Sequence, residues 1–91
     1  MAEKNGATDK ADLIVKAYPN PSTRYFSVLL KGDANNPVSL KITDAVGRLI
    51  EVKNNIKANT LLLIGTQYKP GAYYVEVNQG NSRKILQLIK Q

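Results

Sequence analysis

The chain has 91 residues, no cysteine and no histidine, so it suits one domain with no disulfide framework and none of the usual zinc or copper ligands. A chain this short buries only about two-thirds of its unfolded surface, and its stability must come from one apolar layer, which the 43% hydrophobic content supplies. The net charge is +6, from 13 Lys and Arg against 7 Asp and Glu, which raises the question of nucleic acid, anionic lipid or acidic polysaccharide partners, but the basic residues are scattered singly and read as a solvated surface before a specific anion site.

Residues 1–12 are polar and read as a flexible lead-in without a signal-peptide apolar stretch. The chain is therefore expected to be either cytosolic or a piece of a longer protein. Residues 13–91 form the domain. The first strand is predicted over 13–18 and ends at Pro19-Asn20-Pro21, where two prolines remove two ladder donors. The second spans 24–31, with Phe26, Val28 and Leu30 on one face at period two. A turn cluster over 32–37 leads to a third strand over 38–43, with Val38, Leu40 and Ile42 inward. Asp44-Ala45-Val46-Gly47 closes a hairpin, with Gly47 supplying a positive φ and Asp44 bonding the turn's backbone N–H groups. The fourth strand follows over 48–53, with Ile50 and Val52 inward.

A polar link over 54–59 precedes a short apolar strand over 60–64, ended by Gly65. Lys69-Pro70-Gly71 has the form of a type II turn. Residues 72–78 alternate Tyr73, Val75 and Val77 against Tyr74, Glu76 and Asn78. Residues 79–82 turn the chain into a last strand over 83–90. That strand is apolar on both faces, through Ile85 and Ile89 on one and Leu86 and Leu88 on the other. It is either covered on both sides or a docking strand for a partner.

Seven or so strands at turn spacings of about 8–12 residues predict an all-β fold, an antiparallel two-sheet sandwich. No segment reaches the roughly 18 apolar residues of a membrane-spanning helix. No serine lies beside an activating sequence, and the carboxylates show neither an acid–base pairing nor calcium-loop spacing. The expectation is a non-enzyme with no catalytic residue, cofactor or metal. Phe26 and Tyr73 fall on inward positions and read as core. Tyr25 and Tyr74 fall outward, where a sugar-stacking platform is the alternative to simple strand propensity.

Four segments in order carry a family resemblance: Tyr18-Pro19-Asn20-Pro21; Asp44-Ala45-Val46-Gly47-Arg48; Pro70-Gly71-Ala72-Tyr73-Tyr74-Val75; and Lys84-Ile85-Leu86-Gln87-Leu88-Ile89-Lys90-Gln91 at the end of the chain. Together, over about residues 15–91, they resemble the type A C-terminal sorting domain of the type IX secretion system of Bacteroidota. One departure is Tyr68, where the family more often has an aliphatic residue. Another is the apolar strand over 60–64, which points to a covered face or self-association.

The resemblance implies an Ig-like sandwich at the end of exported cargo whose own N-terminus carries a Sec signal. It implies type IX translocon and sortase components as partners. The route implied runs through the periplasm to the outer-membrane surface or the medium. A sortase cut would fall in residues 1–12, followed by attachment of the cargo to anionic lipopolysaccharide, although some such proteins stay with the machinery. The last strand, 84–91, is the element expected to be read, by strand addition. The rival readings are a carbohydrate-binding sandwich and a fibronectin-like spacer.

Overall fold

A computed structural model describes residues 12–91. The linker reading of residues 1–12, with its cleavage region, falls outside the described residues except at Asp12. The described chain folds into seven strands: β1 Ile14–Tyr18, β2 Phe26–Lys31, β3 Val38–Asp44, β4 Leu49–Ile56, β5 Thr60–Ile64, β6 Gly71–Gln79 and β7 Ser82–Lys90. They form two sheets, one ordered β1-β2-β5 and the other β4-β3-β6-β7, with every pairing antiparallel. The expected all-β sandwich is what forms.

Alternation builds the core. On β2, Phe26, Val28 and Leu30 are fully buried, while Leu29 and Lys31 face out. Across the sandwich they meet Val38, Leu40 and Ile42 of β3, Tyr73, Val75 and Val77 of β6, and Leu88 of β7. These inward positions are the ones that period two assigns. The last strand keeps its expected two faces, with Leu88 buried, Leu86 half-buried, and Ile85 exposed on the other side.

Three local expectations are corrected. Ile50 and Val52 do not point inward; they are 42% and 47% exposed. The register pairs Ile42 with Glu51 and Leu40 with Lys53, and a bulge between Ile42 and Thr43 takes up Ile50. A bulge inverts the facing of whatever follows it, so Glu51 and Lys53 lie on the core side. Three strands cannot cover four, and the inner face of edge strand β4 is left to a salt bridge, Lys53 Nζ to Glu51 at 3.1 Å.

The polar link is also shorter than expected. Strand β4 runs on to Ile56, which pairs with Val38. Asn55, near the end of β4, and Asn59, the last residue of the link, take positive φ, a conformation that asparagine tolerates better than most residues.

Finally, Pro70-Gly71 does not close a turn. The hydrogen-bonded reversal lies earlier, where Tyr68 N donates to Gly65 O at 3.1 Å, and Gly71 is already paired with Lys90 at the start of β6. Gly65 carries that reversal at φ +88°, with space for no side chain, since a Cβ there would lie 2.8 Å from Phe26.

Candidate recognition surface

Three of the sequence segments and the C-terminal part of the fourth converge on one end of the sandwich. Tyr18 pairs with Ser27 and Phe26 with Ile64, which places the β1–β2 and β5–β6 connections together. Asp44 pairs with Tyr73 and Gly71 with Lys90, which brings the β3–β4 turn and the end of β7 to the same place. Tyr18, Pro19, Asn20, Pro21, Gly47, Arg48, Pro70 and Gly71 are exposed there.

Asn20 and Ser22 occupy the outer edge of β7. Asn20 Nδ2 donates to Gln87 O at 2.8 Å, and Ile89 N donates to Asn20 Oδ1 at 2.9 Å. The side-chain amide thus stands in for a strand's peptide group. Two residues on, Ser22 N donates to Ile89 O at 2.9 Å and Gln91 N to Ser22 O at 2.8 Å, a short parallel bridge. Pro19 and Pro21 have no N–H to offer, which leaves Asn20 and Ser22 as the bonding members of the segment. Both prolines follow cis peptide bonds. Ser22, which sequence reasoning missed, also turns the chain back: its Oγ donates to Tyr25 O at 2.6 Å and accepts from Arg24 N at 3.1 Å.

Lys90 holds this end from beneath. It is 6% exposed, and its ammonium donates to the backbone carbonyls of Arg24, Gly65 and Thr66. Three N–H donors meet three carbonyls, so a buried charge is solvated by backbone dipoles instead of by a carboxylate. The signal for it was its phase, since Lys90 falls on the inward parity of Leu86 and Leu88.

The second segment is a self-contained turn. Asp44 Oδ1 accepts from Val46 N at 3.1 Å and from Arg48 N at 2.8 Å, and Oδ2 accepts from Arg48 Nε at 2.8 Å. Desolvation raises the Asp44 carboxyl, but the Arg48 and Val46 donors together outweigh it and hold it below its ordinary 3.8. Gly47 takes φ +89° as expected.

The third segment abuts this turn. Asp44, Arg48, Lys69, Pro70 and Tyr73 share one shallow depression. Tyr73 is core, with its hydroxyl donating to Lys69 O at 2.7 Å, the arrangement by which a sandwich tyrosine pins a corner. Its ring lies 4.7 Å from that of Tyr68. Burial first, and then the Glu51 carboxylate that accepts its hydroxyl at 2.9 Å, push the Tyr68 phenol well above its ordinary value. The departure at position 68 thus places a polar tip where β4 needs a partner.

Not every expected site residue joins this end. Lys84 pairs with Val77 and Ile85 with Glu76, nearer the opposite end, and both are exposed. Tyr25 lies ahead of β2, while Tyr74 lies on β6 of the other sheet, so the two tyrosines do not form one platform. Among the described residues, no group of three or more His, Cys, Asp or Glu is placed to hold a metal ion.

A family model described as the secretion system C-terminal sorting domain matches residues 16–91. No curated protein matches the chain.

Proposed function

The chain belongs to the C-terminal sorting domains of the type IX secretion system, and we propose that its motif end is the surface by which the machinery recognises a cargo. The carrying observation is the convergence of segments that bond each other across 69 positions in sequence onto one exposed end. In this reading the domain directs its cargo through the outer-membrane translocon. A sortase then removes it and attaches the cargo to anionic lipopolysaccharide, or the protein stays with the machinery. The domain itself acts as an address and performs no catalysis.

Strand addition along β7 is restricted by the geometry. Successive residues of an edge strand point their N–H and C=O alternately inward and outward. Near the motif end, the outward groups of Gln87, Ile89 and Gln91 are already engaged by Asn20 and Ser22. Only the stretch around Arg83 and Ile85 remains for a docking strand. The exposed turns at the motif end are therefore the better candidate for first contact.

The test is a reporter fused ahead of residues 1–91, expressed in a strain with a working type IX system and in one without. Surface delivery in the competent strain alone is expected, and the reporter's new C-terminus locates any cut. Periplasmic retention in both strains would remove the sorting role.

A further inference from the structure

The outer faces of the two sheets differ in charge. On the four-stranded sheet, Lys41 faces Glu76 across β3 and β6. The Asn78 amide first, and then Lys41 and Arg83, hold the Glu76 carboxyl below its ordinary value, so on that face a carboxylate stands among the cations. On the three-stranded sheet, the strands read IVKAY, FSVLLK and TLLLI and carry no carboxylate at all. The nearest in sequence are Asp12 and Asp33, both beyond the strands at the end opposite the motifs.

That acid-free face also carries exposed apolar side chains. Leu61 and Leu63 stand 50% and 61% exposed, with Ile14 at 44% and Tyr18 at 48%. The register sets them in rows with the exposed lysines: Lys16, Leu29 and Leu61 in one, and Ile14 beside Lys31 in another. A sheet face with aliphatic side chains between lysines, and a tyrosine at one corner, has the chemistry of an interfacial surface: the apolar groups enter the acyl boundary, and the lysine stems reach back to the headgroups.

We propose that the outer face of β1-β2-β5 docks on an anionic lipid surface. Charge selects this occupant. A second copy laid face to face would bring both copies' Lys16 and Lys31 into one interface whose strands offer no carboxylate, on chains that each carry +6, whereas an anionic leaflet satisfies both lysines and leucines. Each lysine near such a leaflet is worth about a fivefold factor in affinity.

The test uses the 91-residue chain and sedimentation with vesicles. One set contains phosphatidylethanolamine with phosphatidylglycerol, and the other phosphatidylcholine alone. Binding to the anionic set only, weakening with added salt, is expected. Lys16→Glu with Lys31→Glu should reduce it by at least about 25-fold. Lys41→Glu with Arg83→Glu, on the other sheet, should reduce it far less. Leu61→Ser with Leu63→Ser should also reduce it, with an unchanged melting temperature confirming the fold. The proposal is overturned by equal binding to both vesicle types, by no binding, or by equal sensitivity to the two charge reversals. It is overturned too if the wild type binds no vesicles and runs as a dimer that the leucine variant dissolves.

Discussion

The two ends of the sandwich solve the same problem with different chemistry. At the end opposite the motifs, Gln79 is 6% exposed. Its amide donates to Asp33 O and Asn36 O, both at 2.8 Å, and accepts from Asp33 N at 3.2 Å. At the motif end, Lys90, equally buried, ties Arg24, Gly65 and Thr66. Each residue continues the inward parity of its strand; Gln79 ties down the one loop between β2 and β3, whereas Lys90 joins two connections, at Arg24 and at Gly65–Thr66. The amide does so neutrally, as donor and acceptor. The lysine only donates, and it brings a charge with no carboxylate among its partners. The difference shows where the fold accepts electrostatic cost, namely at the end where the exposed segments must be held in one arrangement.

The largest effect that would break this comparison is expected at Lys90. Met in its place removes the desolvation penalty but leaves three carbonyls without donors. Charge-assisted bonds are worth more than neutral ones, so Lys90→Met should cost about 3 kcal/mol. That corresponds to a fall of roughly 12–24 °C in a thermal melt of a domain this size. A more stable variant would mean that desolvation of the charge outweighs its bonds.

Gln79→Ala comes next, at about 2 kcal/mol by denaturant titration, since one half-buried N–H and the Asn36 carbonyl lose their partner, while the Asp33 carbonyl keeps only Asn36 N. Asn20→Ala removes two bonds at an exposed edge and should cost about 1 kcal/mol, read in the same titration. Smallest is the pH dependence. Asp44 and Glu76 have folded values below their ordinary 3.8 and 4.5. Their contribution is present above those ordinary values and is lost as pH falls through the lowered folded ones. Melts should be flat toward neutral pH and decline in acid, and Asp44→Asn should make the acid decline shallower.

Much of this fold is legible in the residues. Period-two runs placed β2, β3 and β6 with their facing and β7 with its two phases, and Asp44 with Gly47 announced its turn. Facing failed on β4 because alternation gives two phases and not their assignment. The bulge at Ile50 chose the phase, and nothing in the residues flanking it marks a bulge. Pro70-Gly71 misled for a related reason: the same pair suits a turn or the first residues of a strand, and the register with β7 decided. The motif segments were legible as an ordered set, but their meeting was not. Asn20 bonds Ile89 across 69 positions, and a contact of that range leaves no local pattern. Lys90 showed only its parity, which burial by backbone carbonyls then explained.

The measurement that tests the recognition claim most directly sets stability against export. Asn20→Ala lies at the motif end and is the milder change; Gln79→Ala lies at the far end and is the more destabilising. Both would be fused behind one reporter in a strain with a working type IX system. Recognition at the motif end predicts that surface delivery falls further with Asn20→Ala than with Gln79→Ala, the reverse of their order in stability. Delivery that simply follows stability, with Gln79→Ala the worse, would contradict it and reduce the motif segments to a means of holding the fold.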